Sequence, residues 1–128
     1  MSDKQFVFSD VINSQYIIEL YAGDYVMIEE TFTDVLLEYD VFVQKINTCF
    51  RDDNVTALKS AVHKIKPLFG FVGLTDLQGL CLRFEEACQG DSSCSRLAAD
   101  YAVLFEKLVQ AKSVIRDEHA RLVAFNQS

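Results

Sequence analysis

The chain is short of residues that interrupt helices: one proline and five glycines in 128 residues. Gly and Pro are absent from residues 25–50, and nowhere do they cluster into the turn pairs that β-hairpins need. No glycine-rich loop of the nucleotide-binding kind is present, which excludes a kinase with its own ATP site. A basic excess is also missing. Twelve Lys and Arg face nineteen Asp and Glu, for a net charge of −7, and nucleic-acid binding needs the opposite balance. No uncharged run approaches the ~18 residues of a membrane span, and no basic-plus-apolar leader opens the sequence, so a soluble cytoplasmic protein without membrane association is expected. The four cysteines, Cys49, Cys81, Cys88 and Cys94, lack tight metal-type spacing. Cys81 and Cys88 are seven apart on one apolar face, as reduced core residues would be. Tryptophan is absent, but ten Phe and five Tyr in a chain that is 50% hydrophobic can fill a core. The length suits a single domain over 1–128, with its core at about 10–122.

The spacing of apolar residues predicts five helices and no strands. The first runs from about Asp10 to Tyr21 and stops at Ala22-Gly23, with Gly23 suited to a left-handed residue. Asp24 can cap the second, about 25–50, in which Phe32, Val35, Leu36, Tyr39, Phe42, Val43, Ile46 and Phe50 recur at three- and four-residue steps. Asp53 or Asn54 can cap the third, which weakens or ends at Gly70 and Gly73. Thr75 with Gln78 three later is a capping-box pattern opening a fourth helix, with Leu77, Leu80, Cys81, Phe84 and Cys88 inward. Gln89-Gly90-Asp91-Ser92-Ser93 breaks the chain before a last helix that reaches about Leu122. Short loops between long amphipathic helices make neighbours antiparallel. The expected fold is therefore all-α: an up-down-up-down four-helix bundle, with the short first helix covering one end.

His63 is out of place in this pattern. On a helical wheel at ~100° per residue, Leu58, Ala61, Val62, Ile65, Leu68, Phe69 and Val72 form one buried arc, and His63 lies opposite it. Thr56, Ser60, Pro67 and Gly70 surround it, with Lys59 and Lys66 at one edge. A histidine ringed by small residues and lysines, facing away from the core, suits a nucleophile that a partner must approach. Solvated lysines and an idle surface histidine are the plainer alternative, and Lys64 and His119 are read that way.

His63-x-Ile65-Lys66 with Gly73 ten after the histidine, in the third long helix of an acidic helical chain, resembles the histidine-containing phosphotransfer (HPt) domain of multistep two-component relays. The segment Leu80-Cys81-Leu82-Arg83-Phe84-Glu85 resembles the second signature helix of that family. The resemblance implies a monomeric relay intermediate that takes a phosphoryl group onto His63 from a receiver-domain aspartate and passes it to another receiver. Its partners would be receiver domains of response regulators or hybrid sensor kinases. Lys66 would stabilise phosphoryl charge, with Lys59 in support, and Glu85 stands where the family can hydrogen-bond the far ring nitrogen. Thr56, Ser60, Pro67 and Gly70 would form the docking face. No cofactor or metal is expected on this chain, magnesium being the receiver's. Position four after the histidine is commonly Gly in the family and here is Pro67, whose missing amide and bulky ring are expected to kink the helix beneath His63.

Two other functions compete. The same face could bind a receiver without transfer, as an adaptor. A metal-binding bundle would need Glu-x-x-His pairs facing inward, and the sequence contains none.

Overall fold

The computed structural model describes residues 4–90 and 93–128, which contain five α-helices and no strand. They are α1 (Ser14–Leu20), α2 (Tyr25–Arg51), α3 (Val55–Phe71), α4 (Thr75–Gln89) and α5 (Ala98–Gln127). A 3₁₀ turn over Cys94–Leu97 leads into α5. Asp91 and Ser92, part of the predicted break, lie outside the described residues. No helix among the described residues is long and apolar enough to cross a membrane.

Side chains start three of the helices as capping chemistry dictates. The Asn13 carboxamide oxygen accepts from the Tyr16 amide, the Asp24 carboxylate from Met27, and the Asn54 oxygen from Ala57. Three expectations about helix ends need correction. The first helix begins at Ser14 and not near Asp10, because Asn13 caps it and the Asn13 amide donates instead to the Gly73 carbonyl, 2.8 Å away. The fourth helix has no capping box. Leu74 occupies the cap position without a side-chain bond, and Gln78 is drawn across to α3. The last helix also runs five residues past Leu122, to Gln127.

Helices α2 to α5 close a ring in which α2 packs on α3, α3 on α4, α4 on α5 and α5 on α2. The predicted buried arc of α3 is the core of this ring: Leu58, Ala61, Val62, Ile65, Leu68, Phe69 and Val72 are all buried. Around it sit Phe32, Tyr39 and Ile46 of α2, Cys81 and Phe84 of α4, and Leu104, Leu108 and Ile115 of α5. Tyr39 sets its ring edge against Phe69 and donates its hydroxyl to the Leu108 carbonyl, so a single side chain ties α2 to both α3 and α5. All four cysteines are buried.

The core extends beyond 10–122. Phe6 and Phe8 are buried, and Phe6 packs edge-on to Phe125 and beside Tyr25. Arg121 lies over the Phe6 ring and donates to the Val7 carbonyl. Glu118, only 3% exposed, accepts the Ser9 amide and pairs with Arg121. The N-terminal segment is thus fastened along α5 before α1 begins.

Helix α1 caps the corner where α3 turns into α4. That corner requires Gly73, which has φ +75° and no space for a side chain: a Cβ would stand 2.5 Å from Ile17 Cγ1 and 2.9 Å from Ile12 Cγ2. Both are fully or nearly fully buried. At Gly70, by contrast, a Cβ would meet only the far end of the Gln78 side chain. Gly73→Ala should therefore destabilise the protein by about 2 kcal/mol or more, from left-handed strain plus overpacking. Gly70→Ala should change stability by less than about 1 kcal/mol, because Gln78 can swing aside and alanine is the better helix former. Chemical denaturation of the two variants distinguishes the sites, and equal losses would contradict this account of the corner.

Candidate functional site

His63 projects from the middle of α3 with 67% of its side chain exposed, opposite the buried arc. Its Nδ1 lies 2.7 Å from Glu85 Oε1, on α4. The other oxygen of that carboxylate, Oε2, lies 2.7 Å from Lys66 Nζ. The three groups differ sharply in exposure: the Lys66 side chain is 19% exposed and that of Glu85 8%. A buried carboxylate between two surface-ward donors is the organising feature of this face.

The antiparallel packing of α3 on α4 explains the meeting. His63 and Gly70 are seven apart on α3, and Gln78 and Glu85 are seven apart on α4, so each pair lines one helical face. His63 pairs with Glu85 and Gly70 with Gln78, one register satisfying both. Lys66, one turn after His63, enters the same groove. Ion pairing needs such burial to matter, because an exposed pair contributes only ~0–1 kcal/mol. Here the carboxylate is desolvated, and losing either donor would leave a buried acceptor short of a partner.

Ionisation supports the arrangement. Cys81, one turn before Glu85 on the same face of α4, has its thiol pushed up to about 12, first by burial and then by the Glu85 charge. It stays protonated and offers no competing nucleophile. Burial likewise holds the Tyr39 hydroxyl well above its ordinary range. His63 is the one exposed nucleophilic side chain of this cluster. In the neutral ring, an Nδ1 facing a carboxylate oxygen is the donor, which leaves the lone pair on Nε2.

The other predicted site residues divide. Thr56, Ser60 and Pro67 are exposed on the His63 side of α3, while Lys59 is half-buried one turn before the histidine. Gly70 is a correction. It is buried, because the Gln78 side chain lies over it, so it belongs to the α3–α4 contact and not to an open docking face. Pro67 lies inside a helix that continues to Phe71. Sequence reasoning missed Gln78 as a cover for Gly70, although its seven-residue spacing from Glu85 placed both on one face. His119, read as idle, has its Nε2 2.8 Å from the Thr33 hydroxyl, in the α2–α5 seam and away from His63.

Comparisons with known proteins bear on the family and the fold. The family model for the Hpt domain matches residues 30–124, which includes all of α3 and α4. No curated protein sequence matches the chain. Among solved structures, the HPT domain of a sensor hybrid histidine kinase from Shewanella superposes with a TM-score of 0.75 over 87% of this chain and 95% of that one. The two are 18% identical, so this likeness speaks to the fold.

The geometry makes a spectroscopic prediction. A hydrogen bond to a charged acceptor contributes about 1.5–3 kcal/mol, enough for a roughly ten- to hundredfold tautomer preference. Nitrogen-15 NMR of the imidazole near pH 8 should show the proton on Nδ1, and Glu85→Ala should abolish that preference. A wild-type ring protonated mainly on Nε2 would contradict the reading.

Proposed function

The chain belongs to the Hpt domain family, and on that premise we propose that it is a phosphorelay intermediate whose acceptor atom is His63 Nε2. The observation that supports this most is the Glu85 carboxylate against Nδ1, which leaves the outward nitrogen with its lone pair.

In the proposed reaction, Nε2 attacks the phosphorus of a receiver's aspartyl phosphate. The P–O bond to the aspartate breaks, the carboxylate leaves on the receiver, and a P–N bond forms. Positive charge grows on the ring as Nε2 gives up its electron pair, and the Glu85 carboxylate at Nδ1–H offsets it. Charge on the transferring phosphoryl oxygens is met by Lys66, beside the ring, and by the magnesium ion that belongs to the receiver. The reverse step onto a second receiver uses the same groups, because the P–N bond forms and breaks at the same exposed atom.

The docking face we assign comprises His63, Thr56, Ser60 and Pro67, without Gly70. The tight turn from Arg51 to Val55 sets α2 antiparallel to α3, which puts Val41 within about a turn of the level of His63 and Leu37 one turn beyond. Val41 is 70% exposed and Leu37 77%. Two bare aliphatic side chains on the neighbouring helix, at about the level of an exposed histidine, suit a contact that forms and releases, because a little apolar surface adds affinity without requiring a large interface.

The test is incubation with a phosphorylated receiver domain under single-turnover conditions. The wild type should acquire an acid-labile, base-stable phosphoryl group, and His63→Gln should acquire none while keeping its helical spectrum, with stability lower by about 1–3 kcal/mol because the buried Glu85 carboxylate loses the ring donor. Lys66→Ala should slow transfer by roughly 10- to 1,000-fold, or about 1.4–4 kcal/mol. It should also lower stability by about 1–3 kcal/mol, because the buried Glu85 carboxylate loses its cationic partner. Labelling of His63→Gln would overturn the assignment of the nucleophile, and an unchanged rate for Lys66→Ala would remove that residue from the reaction.

A further inference from the structure

Of the four helix pairs in the ring, α4 and α5 share the smallest interface, and a cleft of about 530 Å³ lies between them. That size falls within the range of small-molecule sites. Its walls are Leu74, Leu77 and Leu80 on one side and Val103, Ala111 and Val114 on the other. Leu80 continues the inward stripe of α4, yet α5 does not close over it, so it is half-buried, and Val103 is 51% exposed. The cleft therefore presents apolar surface that the bundle leaves uncovered.

Two cations border it. Arg83 and Lys107 line the cleft, and neither has a carboxylate within ion-pair distance among the described residues. The guanidinium lies back along α4 toward Gly79, where a Cβ would stand 3.4 Å from Arg83 Nη1, an ordinary contact. Unpaired cations are notable on a chain of net charge −7. The acidic lining residues, Asp10 and Asp76, are at the other end, beside α1. Asp100 borders a smaller adjoining cleft that Arg83 also lines. Within the main cleft, leaving Asp100 aside, the lining charges are thus polarised along its length.

We propose that this cleft binds a small amphipathic carboxylate, an alkyl chain of medium length with an anionic head. The planar fork of Arg83 matches a carboxylate, and Lys107 adds a second positive charge. The hydrocarbon lies along Leu80, Leu77 and Val114. Asp10 and Asp76 repel the head from the α1 end, so charge alone sets the direction of binding. Arg83 is two residues before Glu85, roughly 160° around α4. The cleft consequently lies away from the His63 face, and the inference does not depend on phosphotransfer.

Decanoate, well below its micellar concentration, is the probe, with decanol as its uncharged counterpart. Methyl NMR of the full chain should show saturable shifts at Leu77, Leu80, Val103 and Val114, with the His63 ring signals unmoved. Decanoate should bind at least tenfold more tightly than decanol. Combining Arg83→Ala with Lys107→Ala should weaken decanoate at least tenfold and leave decanol unchanged, both side chains being exposed. Absence of saturable shifts, or equal affinity of the wild type for decanoate and decanol, would overturn the proposal. Undiminished decanoate binding by the folded double variant would do the same.

Discussion

The arrangement depends on one buried carboxylate. Glu85 is 6% exposed, and a charge so placed is tolerated only when it is matched by a donor or an opposite charge. One oxygen takes His63 Nδ1 and the other Lys66 Nζ, so one group orients the imidazole and holds a cation beside it. Neither partner could be supplied from within α4. They come from successive turns of α3, and the constraint is therefore on how α3 and α4 pack: a small axial slip would separate the carboxylate from both donors.

That register is held at both ends of the site. Gly70 lets the Gln78 side chain lie against α3, and Gly73 turns the chain within contact distance of Ile12 and Ile17. The Asn13 amide then bonds the Gly73 carbonyl, and Tyr21 donates to the Phe71 carbonyl, which fastens α1 over the corner. The distant end is held differently. Phe50 stacks flat on Tyr101 at 3.9 Å, and the Asp53 carboxylate accepts the Cys94 amide, joining the α2–α3 turn to the start of α5. The exposed histidine is thus carried by a rigid helix pair whose position is defined from both sides.

Much of this was legible in the sequence, because it followed from periodicity. The buried arc of α3, the caps at Asp24 and Asn54, and the outward direction of His63 all come from spacing within one helix. What the sequence hid are contacts between segments. Thr75 and Gln78 match a capping box, but a buried glycine across the interface takes Gln78 instead. Gly70 looks open on a wheel, which cannot show what a neighbouring helix lays over it. Phe6 and Phe8 precede any periodic pattern, and only Arg121 and Glu118, more than a hundred residues away, explain why they are buried. Leu80 obeys the inward pattern of α4 and still lines a cleft, because coverage depends on α5. Glu85 was found from family resemblance; on spacing alone it is another helical glutamate.

The most direct measurement is the identity of the phosphorylated atom. After exposure to a phosphorylated receiver domain, heteronuclear NMR of the imidazole with coupling to phosphorus should place the phosphoryl group on His63 Nε2, with the proton retained on Nδ1 against Glu85. A phosphoryl group on Nδ1, or on any residue other than His63, would contradict the account.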